Sequence, residues 1–260
     1  MRDVLARVPL LRAARASGRA LSAQFGLGPR PMGGVAALSR FAVEFARYRE
    51  LAGARGPFEL STAHLLPCLL DRTDETPIEP IYFVQDTWFA RRLASRRPAA
   101  HVDVGSSAKT MAILAQFVPV TMVDIRPVPI HVPGFTFVEG SALSLPFADA
   151  SISSLSSLCV VEHIGLGRYG DPLDARGSEK ALLELRRVLA PGGDLYLSVP
   201  VDRRCRVYFN AHRAFTRDYL LECCEGLEIV EEAYLYGREL LADYQPERGF
   251  GTILLHLRKP

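Results

Sequence analysis

From residue 100 onward, short apolar runs alternate with helical stretches, a glycine turn follows the first run directly, and a lone carboxylate closes the second. Together these observations predict an α/β fold built on a doubly wound, largely parallel sheet with crossover helices. The elements before residue 100 read as helical. Residues 1–60 form a basic helical arm, residues 61–98 a lead-in segment, and residues 99–260 the main domain.

Within the arm, Val4, Val8 and Leu11 fall at helical spacing, and Gly26 to Gly34 concentrates glycine and proline in an expected linker. Leu38 to Leu51 reads as a helix, with Phe41, Phe45 and Tyr48 spaced for one face, and Gly53 and Gly56-Pro57 end it. Pro67 to Pro80 is irregular, and residues 81–96 form a helix leading into the main domain, anchored by Trp88 and Phe89. Strands are expected at Ala100–Val104, Val118–Asp124, Thr136–Val138, Ile152–Leu158, Leu195–Val199, Leu227–Leu235 and Thr252–Leu257. Ser178–Ala190 is the clearest helix, because Ala181, Leu182, Leu185, Val188 and Leu189 make one stripe and Pro191-Gly192-Gly193 follows. A shorter helix spans Thr216 to Cys224.

At 260 residues, 48% hydrophobic and 23% charged, the chain can bury a sizeable core. Charged or glycine residues interrupt each apolar run well short of the roughly 20 residues that span a bilayer, and the N-terminus lacks a compact apolar signal. A cytoplasmic location without export is the expectation. Five cysteines without a Cys-X-X-Cys pair read as reduced thiols, and the histidines show no metal-ligand spacing, so no metal is expected. The net charge of +2 hides an asymmetry. Residues 1–56 hold ten arginines against three acids, which is +7 and leaves −5 for the remainder. Such an arm suits an anionic surface at the inner face of the membrane or a polyanionic substrate. The favoured reading is a helix packed on its own domain or a partner, with solvated arginines.

In a doubly wound sheet, ligands bind beyond the carboxyl ends of the strands. Here the first strand runs into Asp103-Val104-Gly105-Ser106-Ser107-Ala108, where Gly105 permits a tight turn and the following helix offers free amides. Nineteen residues after Gly105, Asp124 ends the second strand, and a carboxylate there can accept both ribose hydroxyl protons. This pairing suits a nicotinamide or an adenosylmethionine cofactor. A dinucleotide turn would need glycine at Ser107 and Thr110, which disfavours the nicotinamide. A phosphate-binding loop ending at Lys109-Thr110 would need glycine at Asp103 and Ala108.

The residues from about 99 to the C-terminus resemble the class I S-adenosylmethionine-dependent methyltransferases. The matching blocks are Val102–Ser106, Val123-Asp124-Ile125-Arg126, Glu139–Phe147, Phe147–Ile152 with Val161-Glu162-His163-Ile164, and Leu185–Leu197 with its Leu-Ala-Pro-Gly-Gly. A narrower likeness, to a bacterial methyltransferase-like family known only as a domain of unknown function, reaches upstream. Pro67–Arg72, Tyr82–Trp88, His163–Pro172 and Phe209–Arg213 carry it. The resemblance implies a Rossmann-like sheet of seven strands, mostly parallel with the last antiparallel. It also implies S-adenosylmethionine as cofactor, held by Asp103, Gly105, Ser106, Ser107, Asp124, Ile125, Ser141 and Ala142, with Gln85 of the lead-in helix closing over the methionine end. Members are often associated with surface-polysaccharide gene sets, which points to a hydroxyl of a saccharide or glycolipid as acceptor. Two positions depart from the class. Ser107 replaces a glycine, and Ser141 replaces the acid that receives the adenine amino group, a difference of roughly 1 kcal/mol that predicts modest affinity.

Methyl transfer needs an in-line approach of the acceptor, and a hydroxyl acceptor gains from a general base. His163, Asp171 and His212 are the catalytic candidates, and Arg168, Tyr169, Asn210 and Arg213 the candidates for holding the acceptor. Asp171 lies in a glycine-rich loop longer than the fold requires. Each has a packing alternative: His163 fixing its loop, Asp171 in a surface turn, and Asn210 and His212 capping a helix. The rival function is a non-catalytic scaffold that keeps the fold, motivated by Ser107 and Ser141. Nucleic-acid modification is disfavoured because no Asn-Pro-Pro-Tyr-type block is present.

Overall fold

The computed structural model describes residues 31–52 and 58–260, so the expected arm helix before Pro31 lies outside the described residues. The chain divides into two units, one ending at Pro77 and the other running from Ile78 to Pro260. In the first, helix α1 (Pro31–Ala52) starts inside the expected linker. Proline is suited to a first helical turn, where its fixed φ is already helical and its missing N–H is not needed. No helix among the described residues is long and apolar enough to cross a membrane.

The second unit begins with α2 (Pro80–Arg96), capped by the Glu79 carboxylate, which accepts from Tyr82 N at 2.7 Å. There follow β1 (His101–Val104), α3 (Ala108–Leu114), β2 (Val120–Asp124), β3 (Phe135–Glu139), β4 (Ile152–Leu158), α4 (Gly177–Val188) and β5 (Leu189–Val201). The chain continues through β6 (Arg206–Tyr208), β7 (His212–Ala214), α5 (Arg217–Cys223), β8 (Glu228–Tyr236), β9 (Glu239–Leu241) and β10 (Gly251–Arg258). The main sheet has the order β3-β2-β1-β4-β5-β10-β8-β9. Strands β1 to β5 pair in parallel, and β10 lies antiparallel between β5 and β8. This is the Rossmann-like doubly wound fold expected, with eight strands in the sheet rather than seven.

The extra strand, β9, folds back on β8 after Gly237, and β6 and β7 form a separate two-stranded hairpin. Both escape the periodicity argument because three-residue strands with mostly exposed side chains carry no apolar alternation. Strand β5 starts at Leu189, six residues early. Leu189 pairs with Ile152, and the register then shifts so that Asp194 pairs with Ser154, which absorbs Pro191-Gly192-Gly193 as an irregularity within the strand.

Two apolar layers sandwich the sheet. On one face Ala181, Leu182, Leu185 and Val188 of α4 pack on Leu155, Leu195, Leu197 and Val199. On the other, Trp88, Phe89 and Leu93 of α2 and Met111 of α3 pack on Val120, Met122, Tyr196 and Leu254. Alternation along β5, with Leu195 and Leu197 one way and Tyr196 the other, is the period-two signature of a strand covered on both faces. Full burial of a Leu or Val side chain stabilises by roughly 1.5–3 kcal/mol. Helix α2 is further tied down by Arg96, which pairs with Asp194 at 2.9 Å, the same carboxylate that takes His256 and Arg258. The lead-in helix is therefore part of the α/β unit.

Candidate functional site

At the carboxyl ends of β1, β2, β3 and β4 the chain leaves a cavity of about 330 Å³, near the lower end of the usual range for ligand clefts. Residues 104–107, 123–126, 140–143 and 158–160 form its floor, Tyr82 contributes from α2, and His163, Ile164, Tyr169 and Asp171 contribute from the loop after β4.

The loop after β1 is held open by a buried polar chain. His101, pushed down to about 3 by burial and hence neutral, contacts Ser154 Oγ at 2.8 Å and Ser156 Oγ at 2.9 Å. Ser156 donates to Asp103 Oδ1 at 2.5 Å, and Asp103 accepts from Ser106 N at 3.0 Å and Ser106 Oγ at 2.6 Å. Ser106 Oγ in turn accepts from Leu158 N at 2.9 Å, locking the loop to β4. Gly105 sits at φ +72°, and a Cβ there would come within 2.8 Å of Val160 Cγ1, so the position demands glycine for conformation and for space. Ser107 caps α3, its Oγ accepting from Thr110 N at 3.4 Å. The missing second glycine is thus replaced by a helix cap that leaves the cavity open.

At the end of β2, the carboxylate of Asp124 faces the cavity with Arg126 folded onto it. Arg126 donates from its backbone N at 2.8 Å and from Nε at 3.3 Å to Oδ1, and from Nη2 at 3.3 Å to Oδ2. Beyond β3, Ser141 Oγ accepts from Leu143 N at 3.2 Å, and a hydroxyl oxygen retains a second lone pair. Ile125, Ser141 and Ala142 all line the cavity.

At the opposite end His163 Nδ1 lies 2.6 Å from the Ala211 carbonyl oxygen. A carbonyl can only accept, so Nδ1 carries the proton in the neutral ring and Nε2 keeps its lone pair. Desolvation pushes His163 down to about 4, so the ring is neutral at physiological pH. Glu162 Oε1 is 3.7 Å from Nε2, beyond hydrogen-bond range. Glu162 is 2% exposed, its Oε2 has no hydrogen-bond partner, and burial pushes the acid up to about 8, which leaves it protonated at neutral pH.

The structure brings Gly105, Ser106, Ser107, Asp124, Ile125, Ser141, Ala142, His163, Tyr169 and Asp171 to one cavity. It moves other candidates away from the wall. Asp103 is fully buried and shapes the loop from behind. Gln85 is buried under α2, bonded to Ser198 Oγ and to Asp86, and Tyr82, one helical turn earlier, reaches the cavity instead. Arg213 is buried, and its guanidinium donates to Ile164 O, Ser178 Oγ and Asp174 O, which fastens the base of the long loop and leaves no face for an acceptor. Asn210 is exposed at the tip of the β6–β7 hairpin. His212 stands off the cavity in an aromatic cluster, 5.0 Å from Tyr208 and 5.6 Å from Phe250. Arg168 is exposed at the rim, donating to Ala211 O at 3.0 Å. Asp171 lines the cavity, but its carboxylate accepts from the backbone N–H groups of Gly165, Gly167 and Tyr169, so it clamps the loop rather than standing free as a base.

Tyr82, Arg126 and Cys159 are wall residues that the sequence reading passed over. Cys159 and Arg126 follow strand ends, the same rule that found Asp124. Tyr82 had only its place in the lead-in helix as a signal. Burial is the main reason that the Tyr82 hydroxyl is pushed up to about 12.

A family model described as a Caenorhabditis protein of unknown function, DUF268, matches residues 147–243. A protein of Encephalitozoon cuniculi (strain GB-M1) that carries a provisional methyltransferase name is 29% identical over 122 residues, covering 46% of this chain and 54% of that one. The chain therefore spans about half the length of this curated relative. Among solved structures, the [4+2]-cyclase SpnF is similar with a TM-score of 0.51 at 17% identity, over 67% of this chain and 81% of that chain. The N-methyltransferase NodS from Bradyrhizobium japonicum WM9, in complex with S-adenosyl-L-homocysteine, gives 0.49 at 18% identity over 75% and 92%. The chain has a methyltransferase-type Rossmann-like fold, and a fold of this kind is compatible with more than one reaction.

Proposed function

We propose that this chain binds S-adenosylmethionine at the ends of β1 to β4 and transfers its methyl group to a hydroxyl oxygen, on a saccharide or glycolipid of surface-polysaccharide biosynthesis. The observation that carries the reading is the single cavity that holds the open Gly105 turn, the Asp124 carboxylate and the neutral His163 together. The residues fit the cofactor. Gly105 leaves room where any Cβ would collide, Asp124 offers two acceptor oxygens to ribose hydroxyls, and Ser141 and Ala142 border the adenine end. When bound, the cofactor supplies an electrophilic methyl carbon on a sulfonium.

The chain's own residues then position and deprotonate. His163, with Nδ1–H held by Ala211 O, has Nε2 available to take the proton of an acceptor hydroxyl. Tyr82 and Tyr169 border the same end of the cavity and can exclude water from it. Off the cavity, Tyr208, His212 and Phe250 present aromatic rings tilted to one another, each a face of the kind on which the C–H side of a sugar ring packs. One observation favours the scaffold alternative: Arg126 already occupies both oxygens of Asp124. The Asp124 side chain is only 10% exposed but that of Arg126 is 54% exposed, and both guanidinium contacts are long at 3.3 Å, so a ribose can displace them.

Calorimetric titration with S-adenosylmethionine, S-adenosylhomocysteine and NAD, repeated on Asp124→Ala, tests the proposal. Saturable binding of the first two, weakened at least about tenfold in the variant, supports it. Absence of binding up to millimolar ligand overturns it and leaves the scaffold.

A further inference from the structure

Two guanidinium groups converge on one ring at the mouth of the cavity. The Arg126 carbon lies 4.3 Å from the centroid of Tyr169, and the Arg168 carbon 5.0 Å from the same centroid. The other edge relation of that ring is to His163, at 5.5 Å and nearly perpendicular. The charges around this pair are accounted for unevenly. Arg168 is exposed, makes no ion pair among the described residues, and rests on the Ala211 carbonyl and the edge of His163. Asp171, the carboxylate on the same loop, is engaged by three backbone N–H groups. Glu162 is buried within the domain. Among the described residues, Asp124 is the carboxylate that is ion-paired with either cation, through Arg126.

That arrangement changes when Asp124 takes up ribose hydroxyls. The carboxylate has to surrender acceptor sites that Arg126 now fills, and the Arg126 donors are released at the face of Tyr169, beside Arg168 and His163. Two neighbouring guanidinium groups with donors free of a carboxylate oxygen form a site for an anion with several oxygens, because a guanidinium presents its donors as a planar fork that matches phosphate.

We propose that the acceptor carries a phosphate or diphosphate group, bound by Arg168 together with an Arg126 that the cofactor's ribose has released from Asp124. The inference rests on the cofactor reading above and deepens it. It names the substrate class, and it makes binding ordered, since the anion site is complete only after the nucleoside end is filled. An anion held by the two guanidinium groups beside Tyr169 places the rest of the acceptor against the edge of His163. Phosphate can reach this site on a soluble sugar phosphate or on a lipid, and the basic recognition is the same for both.

The test is calorimetric titration of the full chain with inorganic pyrophosphate, with and without saturating S-adenosylhomocysteine, and the reverse titration. Pyrophosphate should bind about fivefold or more tightly when S-adenosylhomocysteine is present, and by reciprocity S-adenosylhomocysteine should tighten by the same factor. In Arg168→Ala, pyrophosphate affinity should fall at least about tenfold with S-adenosylhomocysteine affinity unchanged. In Arg126→Ala the coupling factor should drop to one, whereas in Arg126→Lys, which keeps the charge but loses the fork, it should be reduced. Parallel titrations with glucose 1-phosphate and with vesicles containing phosphatidic acid separate a soluble from a lipid-borne source, and saturable binding in either arm supports phosphate recognition. If S-adenosylhomocysteine binds while pyrophosphate does not, or if pyrophosphate binds equally with and without it, the anion proposal falls and the cofactor reading stands. If S-adenosylhomocysteine itself does not bind, both fall.

Discussion

The two ends of the cavity are built in different ways. The end proposed for the nucleoside consists of strand ends and backbone: Gly105, Asp124 and Ser141 each stand within a residue or two of where β1, β2 and β3 stop. The opposite end is assembled from segments far apart in sequence, with His163 held by Ala211 and the 165–174 loop held by Arg213. The first end depends on local geometry that a doubly wound sheet creates almost wherever it occurs. The second depends on tertiary contacts particular to this chain. Substitutions at the first should therefore act on cofactor affinity, and substitutions at the second on turnover.

The sharpest way to break that contrast is His163→Ala. Turnover with a competent acceptor should fall about 10²- to 10⁴-fold with S-adenosylhomocysteine affinity unchanged. If turnover survives, or if cofactor affinity falls with it, His163 is a packing residue and the two ends are not separable. Gly105→Val attacks the other side. At φ +72° and with Val160 in the way, the variant should lose about 100-fold or more in cofactor affinity by calorimetry. A near-wild-type Kd would show that the turn is not the cofactor's cradle.

A pH measurement probes the buried acid beside His163. Burial raises Glu162 from 4.5 to about 8, so between these values the folded chain holds a proton that the unfolded chain has released. Its contribution to stability is full below about pH 4.5 and is lost as pH rises toward about 8. Glu162→Gln should remove this loss and gain about 3 to 4 kcal/mol over wild type between pH 5 and pH 8 in denaturant unfolding. A pH-independent difference would show that Glu162 is ionised in the fold. The smallest effect is expected at Ser141→Asp, which restores a charged acceptor at the adenine end and should tighten S-adenosylmethionine about fivefold. An unchanged Kd would remove Ser141 from the cofactor site.

The hairpin Arg206–Tyr208 with His212–Ala214 shows where a sequence reading runs out. Asn210, His212 and Arg213 stand together in one short segment, which offers His212 as a catalytic group and the other two as acceptor contacts. In the fold they separate into an exposed turn, an aromatic cluster and a buried structural arginine. Sequence proximity does not determine which way a side chain faces in a three-residue strand, whereas in α4 the recurrence of Leu182, Leu185 and Val188 does. Gln85 and Tyr82 make the same point on α2. Both lie on one helix, but the covering of that helix by β5 and the opening of the cavity beside it decide which one meets a ligand.

By itself the sequence determined the doubly wound sheet, the places of its parallel strands along the chain, the glycine turn and the carboxylate that ends the second strand, because each is encoded by periodicity or by a residue whose backbone freedom or charge has a local consequence. Only the tertiary structure decided that Asp171 clamps a loop, that Arg213 is buried, that His163 is neutral with Nε2 unprotonated, and that Arg126 and Arg168 meet on Tyr169. Those outcomes depend on desolvation and on partners supplied by distant segments, which residue spacing along a chain does not specify.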